Sequence, residues 1–201
     1  MDNGPAKLQF YRPPMSPIRS PATANRVRII GGRFRGRIVR FPPGDDLRPT
    51  PDRVRETLFN WLGQSLDELS TLEPFAGTGV LSLEALSRGA ARAVALDRDA
   101  RRVRALAETA ETFGATGLEA RTAEARAWLA RDAGRYDVIF LDPPFASAPW
   151  DWLLPAAAAR LAPGGLVYAE SGAPLAPAGG LSIVRRDKAG HVHYHLLARA
   201  D

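Results

Sequence analysis

From Arg26 onward the chain alternates short apolar runs with amphipathic stretches, and the period of each run predicts its element. Val27-Arg28-Ile29-Ile30 and Arg37-Ile38-Val39-Arg40-Phe41 are β-rich and flank Gly31-Gly32-Arg33-Phe34-Arg35-Gly36. This predicts a hairpin with arginines on and beside its turn, closed by Pro42-Pro43-Gly44. Thr50-Pro51-Asp52 then reads as a helix start. Thr is a good N-cap, Pro suits the first helical position, and Asp favours the positive end of the dipole. Val54, Leu58 and Leu62 make one stripe, which Phe59 and Trp61 widen. After Ser70, strands are predicted over Thr71–Phe75, Ala91–Leu96, Leu118–Thr122, Tyr136–Leu141 and Gly165–Glu170. Helices alternate with them: one ending near Arg88, one over Asp99–Phe113, one ending near Arg131 and one near Trp152–Leu161. Repeated strand–helix units imply a parallel sheet with helices on both faces. Leu181–Arg186 and His191–Leu197 have no helix between them and predict a closing antiparallel hairpin, joined through Lys188-Ala189-Gly190.

Composition bounds the class. The 201 residues suffice for one compact domain with an appendage, and no apolar run approaches the roughly 20 residues of a spanning helix. The start of the chain lacks a secretory pattern, so the expected location is cytoplasmic, with no membrane association. Without cysteine the chain has no disulfide, thiolate nucleophile or cysteine-ligated metal. The net charge of +5 is unevenly spread: residues 1–55 carry 12 Lys and Arg against 4 Asp and Glu. A basic N-terminal quarter on a mildly acidic body suggests a polyanion-binding arm. Pro5, Pro13, Pro14, Pro17 and Pro21 make residues 1–24 read as a flexible extension. The expected organisation is that extension, a basic hairpin appendage over residues 25–50, and the main domain over 51–201.

Three features carry candidate chemistry. Glu73-Pro74-Phe75-Ala76-Gly77-Thr78-Gly79 stands where the first core strand turns into its helix. Glycines there permit a sharp turn and close approach of a ligand, although a tight connection alone would also use them. The third glycine of a dinucleotide fingerprint is missing, and no phosphate-binding P-loop motif is present. Asp97 ends the second core strand, where an acid in a doubly wound sheet reaches ribose hydroxyls, and Asp99 suits an N-cap. Asp142-Pro143-Pro144-Phe145 follows the apolar Val138-Ile139-Phe140-Leu141. The prolines remove two backbone donors and hold the chain extended. Carboxylate and carbonyl then form an acceptor-only pair suited to a planar NH₂ group, with Phe145 as a stacking face. His191, His193 and His195 alternate but lack carboxylate or Cys partners, so a half-exposed sheet face is the better reading and no metal is expected. No Ser sits in a G-x-S-x-G turn.

These residues resemble class I S-adenosylmethionine-dependent methyltransferases, and within them the RsmD-like 16S rRNA guanine-N2 methyltransferases. The narrowing segment is Arg48-Pro49-Thr50-Pro51-Asp52-Arg53-Val54-Arg55-Glu56, followed by Leu58-Phe59-Asn60. Phe75–Gly79 with Leu83–Ala90 is similar to the cofactor loop and first helix, and Asp142–Phe145 to the amino-methyltransferase motif. The resemblance implies a Rossmann-like α/β fold: a seven-stranded, mostly parallel sheet with a C-terminal antiparallel hairpin, plus the small N-terminal hairpin. It implies S-adenosyl-L-methionine as cofactor, with Phe75, Gly77 and Gly79 along its methionine part and Asp97 and Arg98 at the ribose. Glu124 and Ala125 would lie at the adenine, and Asp142 beside the reacting methyl. Asp142, the Pro143 carbonyl, Pro144 and Phe145 would hold and stack the guanine. Arg33, Arg35, Arg37, Arg48 and Arg53, with Arg40 and Arg55, would meet phosphates of 16S rRNA, in the 30S subunit or its assembly intermediate, with the chain acting as a monomer. Glu73-Pro74 departs from the usual Asp-Leu entry, and Asp97 stands where Glu is common. The rival readings are another exocyclic-amine methyltransferase, acting on tRNA, DNA adenine or protein glutamine, and a non-catalytic RNA-binding assembly factor.

Overall fold

The structure is a computed structural model that describes residues 25–42, 49–145 and 149–200. The expected extension over 1–24 and Arg48 lie outside the described residues. Strands β1 (Arg26–Arg28) and β2 (Ile38–Arg40) pair antiparallel, with Arg26 opposite Arg40, and enclose a short 3₁₀ turn at Gly32–Phe34. Helix α1 spans Asp52–Leu62. Then follow β3 (Ser70–Glu73), α2 (Val80–Ser87), β4 (Arg92–Asp97), α3 (Ala100–Phe113), β5 (Leu118–Thr122), α4 (Ala125–Arg131) and β6 (Tyr136–Leu141). Helix α5 (Trp150–Arg160), β7 (Leu161–Ser171), β8 (Leu181–Ala189) and β9 (Val192–Arg199) complete the chain.

The main sheet has the order β5-β4-β3-β6-β7-β9-β8. All its pairings are parallel except those of β9, which runs antiparallel to both β7 and β8. The expected closing hairpin is therefore present, but longer and tighter than its apolar runs suggest. Ala189 pairs with Val192, so only Gly190 and His191 form the turn, with Gly190 at φ +60. The strand expected from Gly165 begins at Leu161 instead. Leu161 pairs with Tyr136 and Leu166 with Val138, and this register shift absorbs Ala162–Gly165 within the strand. Thr50 does not cap α1. The N-cap is Pro51, and the Thr50 hydroxyl bonds Glu170 on β7.

Two cores cover the two faces of the sheet. One joins α4 and α5 to Leu72, Val94, Ile139, Leu141 and Val167. The other joins α1, α2 and α3 to Phe140 and Tyr168, and continues without a break into Val27, Ile29, Phe34, Val39 and Phe41 of the hairpin. Every residue of α2 is buried, because the sheet lies on one side of it and the hairpin on the other. Polar contacts fix this arrangement. Glu84 accepts hydrogen bonds from the Ile30 and Gly31 amides at 2.5 and 3.3 Å. The Ser87 hydroxyl accepts from the Phe34 amide and donates to the Gly31 carbonyl. Among the described residues no helix is long and apolar enough to cross a membrane.

Candidate active site

Order reverses between β3 and β6, and in an open α/β sheet the crevice beyond the strand ends at such a point is where ligands bind. The glycine loop, Asp97 and Asp142 all meet there. The Ala76 amide donates to the Leu96 carbonyl at 2.7 Å, tying the loop to the end of β4. Gly79 begins α2 in the left-handed region at φ +68, and a Cβ on it would lie 2.4–2.9 Å from the Leu106 side chain. Only glycine satisfies both conditions. Asp97 is buried, and its two oxygens accept from the Gly77 amide at 2.9 Å and the Asp99 amide at 2.8 Å. It thus braces the loop from below. Asp99 caps α3 as expected, by accepting from the Arg101 amide.

Of the other residues expected at a cofactor, Phe75 is half-buried, Arg98 is exposed and Ala125 is buried. Glu124 is exposed and caps α4, accepting from the Ala127 amide at 2.7 Å. Pro143 is buried, whereas Pro144 and Phe145 are exposed; the Phe145 ring lies beside Gly172. Asp142 is half-buried, and no described residue donates a hydrogen bond to its carboxylate. Burial first, then the charges of Glu170 and Glu73, push its pKa well above the usual carboxylate range.

Of those two neighbours, Glu73 was noted only as the opening of the glycine-loop motif, and Glu170 was not singled out from the sequence. Pairing of Phe140 with Tyr168 and Leu141 with Ala169 brings Asp142 level with Glu170, on the sheet face shared with Phe140 and Tyr168. Glu170 accepts from the Tyr168 hydroxyl at 2.9 Å, and burial raises its pKa. Glu73 accepts from the Ser82 amide at 3.0 Å and hydroxyl at 2.5 Å, yet burial pushes its carboxyl up to about 8. The signal available in the sequence was an acid near the C-terminal end of four of the strands: Glu73, Asp97, Asp142 and Glu170. A site so rich in carboxyl groups is suited to accept hydrogen bonds from the N–H groups of a ligand.

The arginines fall into distinct groups. Arg55, expected at an RNA phosphate, is completely buried, so that expectation is corrected. It donates to Glu84 at 2.6 Å, Asp52 at 2.6 Å and the Thr50 and Arg28 carbonyls. Arg37 is half-buried, bonds the Thr112 and Phe113 carbonyls and lies over the Phe113 ring, 4.1 Å from its centroid. Arg33 and Arg35 are exposed at the hairpin turn, against the C-terminal end of α2 and hence away from the glycine loop. Arg26, Arg40 and Arg53 are exposed at the end nearer the site, and Arg26 was not singled out from the sequence. The histidines are not a half-exposed row. His195 is buried, and its Nε2 accepts from the Leu175 amide, while His191 lies in the hairpin turn.

A doubly wound sheet of this order, with a glycine loop braced by an acid and an Asp-Pro-Pro-Phe exit from β6, is the Rossmann-like domain of a methyltransferase. Solved chains agree. One from Escherichia coli assigned as the methyltransferase yhhF superposes with TM-score 0.78 at 37% identity, covering 87% of this chain and 98% of its own. A methylase from Haemophilus influenzae gives TM-score 0.74 at 30% identity, covering 88% and 99%. The family model described as "Conserved hypothetical protein 95" matches residues 27–198, and the chain belongs to that family. The ribosomal RNA small subunit methyltransferase D of Escherichia coli K12 is 38% identical over 182 residues, covering 88% of this chain and 91% of the relative.

Proposed function

We propose that this chain is an S-adenosylmethionine-dependent RNA methyltransferase that modifies the exocyclic N2 of a guanine in small-subunit rRNA. Membership of the family and the 38% identity to a small-subunit rRNA methyltransferase support the reaction class and the substrate. The observation that carries the chemistry is Asp142, a half-buried carboxylate to which no described residue donates, followed directly by the buried Pro143 and the exposed Pro144 and Phe145.

The residues present fit the cofactor: the Gly77–Gly79 turn admits close backbone approach, and Asp97 fixes it through the Gly77 amide. When bound, S-adenosylmethionine supplies an electrophilic methyl group on a sulfonium. Gly77, Gly79 and Phe75 would hold its methionine part, Asp97 and Arg98 its ribose, and Glu124 and Ala125 its adenine. For the adenine contact Glu124 would reach outward from its capping position. The chain's own part in transfer is to hold the amine. The lone pair of guanine N2 is delocalised into the ring, so the free base is a poor nucleophile. The Asp142 carboxylate and the Pro143 carbonyl accept its two N–H groups and favour the pyramidal nitrogen of the transition state. Fixed dipoles of this kind contribute ~2.7–4 kcal/mol each. Phe145, with Pro144 beside it, supplies the stacking face, and alignment supplies the remainder through proximity. Once methylated, N2 would carry one proton too many, and it would release that proton from the side held by Asp142 and the Pro143 carbonyl.

Arg33, Arg35, Arg48 and Arg53 would meet RNA phosphates, and so would Arg26 and Arg40. Like charges directly opposite in a hairpin are destabilising without an anion between them, and Arg26 faces Arg40. Arg37 would act chiefly by holding the hairpin to α3. The substrate form would be the 30S subunit or its assembly intermediate, met in the cytoplasm by a monomer.

The test offers labelled S-adenosylmethionine and the protein to unmodified 30S subunits, naked 16S rRNA, tRNA and DNA, and identifies the methylated nucleoside by mass spectrometry. N2-methylguanosine from 16S rRNA is expected, and label only in tRNA or DNA would replace the substrate. Asp142→Ala should lose at least about 100-fold in transfer rate while cofactor affinity is largely kept. Equal loss of both would contradict the division of roles.

A further inference from the structure

Edge strand β8 carries a run of cations that the reading above leaves without a task. Residues Val184–Lys188 are all exposed, and three of the five are basic: Arg185, Arg186 and Lys188. Among the described residues, none of the three has a carboxylate within ion-pair distance. The one acid among them, Asp187, accepts instead from the Tyr194 hydroxyl at 2.9 Å and the Lys188 amide at 2.7 Å. Elsewhere on the surface, Arg28, Arg92, Arg101 and Arg121 each pair with an acid.

Register shows where these cations stand. Asp187 pairs with Tyr194, and Tyr194 with Glu170. Arg186 and Lys188 therefore lie one residue below and one above the level of Glu170, which is also the level of Asp142. Three strand spacings separate β6 from β8, a lateral distance of about 14 Å. Alternation sends Arg185 to the face that α1 covers and Arg186 and Lys188 to the other, so the edge presents positive charge on both sides. The Lys188 amide and the Tyr194 hydroxyl hold the Asp187 carboxyl below its ordinary pKa, and the nearby charge of Arg53 on α1 adds to them, which extends the cationic surface toward the N-terminal end of α1.

Cations on an edge strand also guard against pairing with another chain. Guarding alone would distribute them along the strand. Here Leu181–Ile183, at the opposite end of β8, bears no charge, and the three cations are confined to the half nearest the catalytic edge. We propose that the C-terminal half of β8 is an RNA-phosphate contact that, with Arg53, holds the strand continuing from the target base. It would act on the flank of the site opposite the N-terminal hairpin. This inference rests on the reading of the chain as an RNA methyltransferase.

The experiment measures affinity for unmodified 16S rRNA against salt concentration, for the full chain and for Arg185→Ala/Arg186→Ala/Lys188→Ala. The slope of log affinity against log salt should become shallower by about 2, at ~0.7 per lost contact on single-stranded RNA. Affinity at low salt should fall about tenfold or more. Affinity for S-adenosylmethionine, measured by calorimetry, should be unchanged, and so should the turnover number at saturating RNA. Arg185→Lys/Arg186→Lys keeps the charge and should keep the slope, which separates lost charge from a damaged strand. An unchanged slope in the triple variant would overturn the proposal, even if affinity fell. A wild-type chain whose RNA affinity ignores salt would overturn the broader reading and this one with it.

Discussion

Glu73→Gln isolates one buried carboxyl and gives a stability change of calculable sign. Glu73 is 4% exposed, and the groups that stabilise its charge are the amide and hydroxyl of Ser82. Burial outweighs those two bonds, Asp97 and Glu170 add repulsion, and the carboxyl is raised to about 8 from an ordinary 4.5. The folded chain therefore keeps a proton that the unfolded chain releases once pH exceeds its ordinary value. The stability this provides is complete below pH 4.5 and is lost as pH rises toward about 8. At 1.36 kcal/mol per pKa unit, the loss between about pH 5 and pH 7 is ~2–3 kcal/mol. Gln has the same shape and can still accept from Ser82, but it does not titrate. Urea unfolding of the ligand-free wild type and variant at about pH 5, 6 and 7 reads the difference directly. Asp142 and Glu170 are present in both proteins and largely cancel. The variant should gain ~2–3 kcal/mol on the wild type across that range. Parallel pH profiles would refute a protonated Glu73.

Arg55→Met should destabilise by about 3–5 kcal/mol, because it leaves the buried Glu84 carboxylate without its 2.6 Å partner; a loss under about 1 kcal/mol by urea unfolding would show that Arg88 and the two hairpin amides suffice. Gly79→Ala forces a Cβ into Leu106 at a left-handed φ and should weaken cofactor binding in calorimetry while costing about 1–2 kcal/mol of stability. Unchanged cofactor affinity would mean that the loop geometry is not what the ligand reads.

The sheet was legible because most of its strands read as short apolar or alternating runs, and β5 and β6 lie where those runs predict. Asp97 and Asp142 were legible for a related reason: each breaks an apolar run at its C-terminal end. Glu170 breaks one too, but its meaning depends on β6 and β7 being neighbours in register, which is a property of the sheet. The start of β7 was hidden because Pro163-Gly164-Gly165 has the composition of a loop, while the shift opposite Tyr136 accommodates it within a strand. Arg55 was misread for the plainest reason. A charged residue on a helix is ordinarily solvated, and the carboxylate that makes its burial tolerable comes from Glu84, 29 positions further on.

Helix α2 has no surface of its own, and this limits how the protein could have diversified. Its first turn follows directly on the glycine loop, and its flank is the floor on which the arginine-bearing hairpin rests. Recognition arms are commonly exchangeable modules, hung on a catalytic body by a linker. Here the arm is a wall of the same room. To swap it for another would strip the cover from an apolar helix and loosen the turn that receives the cofactor. New substrates would then be reached by altering residues on the outer side of the hairpin, or by using a different border of the sheet, and not by grafting a new arm in its place.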